Sequence, residues 1–114
     1  MNTVLIVDDE PNYLIVLSEL LREEGLGIFT AGNGEDALKI LGETDIDLII
    51  TDMRMPGLDG LGLLKAAKSL NPDLPVIMVT AFGEVEMAVA AMKAGAFNYL
   101  TKPFNNDELV LNTN

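Results

Sequence analysis

Short apolar runs that each stop at a polar residue alternate, along the whole chain, with helix-length amphipathic segments. Thr3-Val4-Leu5-Ile6-Val7 stops at Asp8-Asp9, and Leu48-Ile49-Ile50-Thr51 stops at Asp52. Val76-Ile77-Met78-Val79 stops at Thr80, and Tyr99-Leu100-Thr101 stops at Lys102. Strands separated by helix-length segments are expected to pair in parallel through crossover connections. Parallel strands share one direction, so Asp8, Asp9, Asp52, Thr80 and Lys102 gather at one sheet edge. That edge, outside the carboxyl ends of the strands, is where open α/β sheets bind ligands. Three carboxylates, a hydroxyl and an ammonium there suit a hard cation together with a phosphoryl group.

The segments between the runs carry helix signals. Pro11 suits a first helical turn, where its missing N–H costs nothing. That helix is expected to reach about Glu24, with Leu14, Leu17, Leu20 and Leu21 on one face and Gly25 as its stop. A second strand covers Gly27 to Ala31. Asn33 is placed to cap a helix carrying Ala37, Leu38 and Leu41. The run Leu48 to Thr51 is apolar almost throughout, as a strand covered on both faces should be. A third helix spans about Leu61 to Leu70 and buries Leu63, Leu64 and Ala67. A fourth spans Glu84 to Ala94, and a fifth strand Asn98 to Thr101. A last helix is expected from near Asn106, short enough to be a longer element cut within the helix.

One domain accommodates all 114 residues. With no Cys and no His, thiolate sites, disulfides and imidazole chemistry are excluded. The net charge of −11 repels phosphate backbones, so direct nucleic-acid binding is not expected. No signal peptide is visible, and no apolar run approaches the 20 or so residues of a membrane helix. A cytoplasmic location without membrane attachment is expected.

Each residue of the constellation has a plain structural reading. Asp8, Asp9 and Glu10 fit a helix N-terminus, where acids favour the dipole. Two adjacent carboxylates cannot both cap one helix, however, and a divalent cation with oxygen ligands would relieve their repulsion. Asp52 fits a turn. It is followed by a loop, Met53 to Gly57, able to turn a carbonyl such as that of Arg54 toward a metal, and a carboxylate beside a cation can act as a nucleophile. Thr80 fits a strand end and also a hydroxyl aimed at a phosphoryl oxygen. Lys102 fits a solvated charge and also a point-charge phosphate binder. Pro103 after it raises a cis bond as a way to aim that side chain.

Val7-Asp8-Asp9-Glu10-Pro11, Thr51 to Gly60, Val79-Thr80-Ala81 and Lys102-Pro103-Phe104 together resemble the receiver (response regulator) domain of bacterial two-component systems. The resemblance covers essentially the whole chain. It implies a flavodoxin-like (βα)5 fold, a parallel sheet of order 2-1-3-4-5 with helices on both faces. It implies Asp52 as phospho-acceptor, Mg2+ (or Mn2+) among Asp8, Asp9, Asp52 and the Arg54 carbonyl, Thr80 and Lys102 as phosphoryl contacts, and Thr80 with Tyr99 as the switch pair. Residues 80–96 look more narrowly like NtrC-type receivers. That implies C-terminal output domains in a full-length protein that regulates transcription, while the wider family implies a sensor histidine kinase as donor and homodimerisation on phosphorylation. The chain would catalyse its own phosphorylation without being a turnover enzyme. Arg54 and Phe82 flank the site, and Met87, Ala90, Ala91 and Ala94 are expected on the readout face, although a stripe at helical spacing is more often core.

Three rivals are weaker. An aspartate-nucleophile phosphatase wants a second acid two residues after the nucleophile, where this chain has Arg54. A flavin carrier wants a Ser/Thr/Gly-rich loop where this chain has Asp8-Asp9-Glu10. A receiver-like interaction module that is never phosphorylated does not need all five key residues.

Overall fold

Side chains point alternately to the two faces of the sheet, and along the strands Thr3–Val7 and Leu48–Asp52 both faces are buried. The computed structural model describes residues 3–81 and 85–102, with backbone alone at Thr80, Ala81, Val85, Thr101 and Lys102. In chain order the elements are β1 (Thr3–Val7), α1 (Pro11–Arg22), β2 (Gly27–Ala31), α2 (Gly34–Glu43), β3 (Leu48–Asp52), α3 (Gly60–Leu70), β4 (Val76–Ala81), α4 (Val85–Lys93) and β5 (Asn98–Lys102). All the strands are parallel, in the order β2-β1-β3-β4-β5. Leu5, Val7, Ile49, Val76 and Met78 point into one core with Ala37, Leu63, Leu64, Ala67 and Ala91. Val4, Ile6, Leu48, Ile50, Ile77, Val79 and Leu100 point into the other, against Leu17 and Leu21 of α1. Two cores explain why the central strands read as unbroken apolar runs.

Helix boundaries follow local chemistry. The Asn33 side-chain oxygen accepts the Asp36 N–H at 2.7 Å, capping α2 as expected. Helix α1 ends two residues before Glu24. There the Glu24 N–H donates to the Leu21 carbonyl and the Gly25 N–H to that of Arg22, and this tightened turn leads into Gly25 at φ 83°. Strands β4 and β5 run further than the apolar runs alone implied. Thr80 pairs with Thr101 and Ala81 with Lys102, so Thr80 and Lys102 lie inside the last rungs of the ladder and not just beyond it. Parallel pairing continues through these polar positions because the backbone, not side-chain polarity, forms the ladder. The expectations for Phe82, for a helix start at Glu84, for the Lys102-Pro103 bond and for a last helix from Asn106 lie outside the described residues.

The start of α3 is locked onto the end of β3. The Met53 N–H donates to the Val79 carbonyl at 3.0 Å, and the Gly60 N–H donates to the Met53 carbonyl at 3.0 Å. A Cβ at residue 60 would collide with the Asp52 carbonyl oxygen, and would lie 2.8 Å from the Met53 Cα and 2.9 Å from the Met78 Cε. Two of those three atoms belong to the backbone and cannot swing away. Gly60→Ala is therefore expected to destabilise the fold by about 2–3 kcal/mol, read as a lowered urea midpoint at unchanged slope. An unchanged midpoint would show that the two segments can separate at little cost.

Candidate functional site

Strand ends assemble the site. Val7, the last residue of β1, pairs with Ala31 on one side and Thr51 on the other. Asp8 and Asp52 therefore emerge side by side. Asp8 is buried, at 2% exposed, Asp9 is exposed and Asp52 half-buried. One carboxylate oxygen from each lies within 4.8 Å of the others. At that separation like charges repel by about 1 kcal/mol per pair in watery surroundings, and by more where the site is partly buried.

The helix-capping account of these acids fails. The Glu10 backbone occupies the cap position of α1, and its side chain makes no capping hydrogen bond. The Asp8 Oδ1 instead accepts the Glu10 N–H at 3.0 Å, a tight local turn that holds Asp8 inward. All three carboxylates offer hard oxygen donors, the set that suits Mg2+ or Mn2+.

Tyr13 was not singled out by the sequence. It sits half-buried in the first turns of α1, packed against the Leu17 and Leu21 side of the core. Burial, and then the carboxylates of Asp8, Asp52 and Glu10, push its phenol well above the ordinary value of 10.0. At neutral pH the ring therefore brings a protonated hydroxyl to the acidic site. The available signal was an aromatic with a polar tip, four residues before buried Leu17, on the helix that follows Asp8-Asp9.

Other expected residues divide. Arg54 lines an open cleft of about 410 Å3 with Asp9, Met55, Pro56, Asp59 and Met87, so the loop after β3 forms one wall beside the carboxylates. The backbones of Thr80 and Lys102 lie in the final rungs of β4 and β5, at the same sheet edge. Tyr99 is 40% exposed, on β5 at the edge of the sheet. The expected readout stripe on α4 needs correction. Ala91 is fully buried, and Met87 and Ala94 pack against the core formed with α2 and α3. The larger apolar side chains exposed in that region are Val89, Met92, Phe97 and Tyr99. Helical spacing of small residues reported the core face, as such stripes usually do.

The family model for the response regulator receiver domain matches residues 4–114. The chain belongs to the response regulator receiver domain family. It is 44% identical over 106 residues to the transcriptional regulatory protein ZraR of Salmonella typhimurium, covering 93% of this chain and 24% of ZraR. It is 44% identical over 110 residues to a putative NtrX-like response regulator of Rickettsia bellii, covering 95% of this chain and 23% of that protein. These relatives are of the NtrC type. The receiver thus spans about a quarter of the length of the curated relatives it matches. The crystal structure of a receiver domain protein from Clostridium thermocellum superposes with a TM-score of 0.93 at 37% identity, covering 97% of this chain and 90% of that one. Among the described residues, no helix of this receiver is long and apolar enough to cross a membrane.

Two outcomes are expected of the site itself. Asp9→Asn removes one charge of the cluster at an exposed position, so it should raise the thermal midpoint measured in chelator; a lower midpoint would mean that the carboxylates do not strain the fold. For Tyr13, the unfolded chain releases the phenolic proton near 10.0 while the folded chain holds it to higher pH. This group's contribution is intact below that value and falls as pH rises past it. Tyr13→Phe should flatten the loss of stability as pH rises above about 10 and leave the profile below that unchanged, checked by urea midpoints.

Proposed function

We propose that this receiver is a phosphorylation-activated switch in which Asp52 accepts a phosphoryl group. The observation that carries this reading is the meeting of the Asp8, Asp9 and Asp52 carboxylates within 4.8 Å at the carboxyl edge of the sheet. Asp8, Asp9 and Asp52, with the Arg54 backbone carbonyl, would hold Mg2+ or Mn2+. The bound cation supplies neutralising charge to the phosphoryl oxygens. Phosphoryl transfer asks little of an enzyme beyond positioning and charge compensation, and these residues suit that task.

The Asp52 carboxylate oxygen forms the new P–O bond as the bond to the donor breaks, and the electron pair leaves with the donor. A phosphohistidine on a sensor histidine kinase fits as donor, with its P–N bond cleaved. The Lys102 ammonium offsets charge on the transferred group and the Thr80 hydroxyl binds one of its oxygens. Water attacking phosphorus later releases inorganic phosphate and restores the Asp52 carboxylate. Arg54, two residues after Asp52, and Phe82, two residues after Thr80, would regulate that water.

Readout follows from Thr80 and Tyr99. Thr80 shifts toward the new dianion, and the Tyr99 ring, exposed at the sheet edge, turns to fill the space left. The two conformations pre-exist, and phosphorylation biases them by its differential affinity. In the full-length protein the receiver would control C-terminal output domains that regulate transcription, with dimerisation of the phosphorylated form.

Intact mass after incubation with Mg2+ and acetyl phosphate tests the reading. The wild type is expected to gain one phosphoryl group that hydroxylamine removes, and Asp52→Asn to gain none. Phosphorylation of Asp52→Asn to the wild-type extent would assign the acceptor elsewhere. No gain by the wild type while Mg2+ binds would point to a constitutive interaction module or to a strict need for its own kinase.

A further inference from the structure

We infer that Glu35, on α2, is a positioning residue for the cation site. It holds the β3–α3 loop, and through it the Arg54 backbone, against Asp52. This inference rests on the proposed cation at Asp8, Asp9 and Asp52.

Three observations converge. First, the Leu58 N–H donates to the Glu35 Oε2 at 3.0 Å, across 23 residues of sequence. Leu58 lies four residues beyond Arg54 in the loop that lines the cleft beside Asp9. Second, the neighbouring glycines clear the space this contact needs. Gly57 sits at φ 75°, and a Cβ there would lie 2.8 Å from the same Glu35 oxygen. A Cβ on Gly34 would come 2.5 Å from the Leu58 carbonyl oxygen and 2.9 Å from its Cβ. Third, the loop is closed at its base by the Gly60 N–H bond to the Met53 carbonyl. The loop is thus fixed at both ends of its free span, at Met53 by the sheet and at Leu58 by Glu35.

The plain alternative is that Glu35 only complements the dipole of α2, in whose first turn it sits with Asp36. A dipole role depends on charge. A tether depends on an acceptor oxygen at the right reach. Two variants separate these. Glu35→Gln keeps the reach and an acceptor oxygen but loses the charge. Glu35→Asp keeps the charge but withdraws the oxygen by one methylene.

The experiment measures Mg2+ affinity by calorimetry for the wild type, Glu35→Gln, Glu35→Asp and Glu35→Ala, with melting in chelator as a check on folding. Glu35→Asp and Glu35→Ala are expected to bind Mg2+ about tenfold more weakly, the usual scale for a group that supports a ligand without touching the metal. Glu35→Gln is expected to stay within about twofold of wild type, because its amide oxygen still accepts. Wild-type affinity in Glu35→Asp and Glu35→Ala overturns the tether. So does loss in Glu35→Gln matched by retention in Glu35→Asp, which would leave only the charge. If the wild type itself binds no Mg2+, the cation reading falls and the positioning role falls with it.

Discussion

The structure depends on parallel pairing of β1 with β3 in one register. Val7 opposite Thr51 sets Asp8 beside Asp52, and everything proposed for the site follows from that adjacency. The register is held by burial on both faces. Leu5 and Val7 enter one core while Val4 and Ile6 enter the other. A slip of one residue would exchange these sets and turn Asp8 toward an apolar layer. The hydrophobic pattern of the strands is thus also what sets the spacing of the carboxylates.

Bringing three carboxylates together carries an electrostatic cost that the fold confines to one corner. Asp8 is drawn inward by the turn to Glu10, Asp9 faces solvent, and Asp52 sits between those limits. The graded exposure matters. A fully buried triad would be too costly to ionise, and a fully exposed one would be screened and floppy. A half-sunken cluster keeps its charge and its geometry, which is what a small cation with oxygen ligands needs.

Much of this was legible in the sequence because the signals were redundant. Apolar runs, Pro11, Gly25 and the Asn33 cap each marked a boundary, and the strand-end acids carried the chemistry independently of the family motifs. What escaped had one physical cause: pattern reports which side of an element is buried, not what that side meets. The small residues of α4 fit a docking stripe or a core face by spacing alone, and Ala91 lies in the core. Nothing in the spacing of α1 marks Tyr13, whose phenol lies in the field of Asp8 and Asp52. Glu35 carries no signal in the sequence, because its bond to Leu58 spans elements that no local pattern connects. Strand ends were read one or two residues short because polar side chains mask backbone pairing that continues beneath them.

The close approach at Gly60 divides the molecule's freedom to vary. Around that glycine, backbone meets backbone, so the wall formed by the end of β3 and the start of α3 admits almost no change in side-chain size. The outward faces carrying Ile15 and Val16 on α1, and Phe97 just before β5, carry no such restriction. Diversification among descendants of this chain would therefore collect on those faces, where recognition can be rewritten while the chemistry beneath is inherited intact.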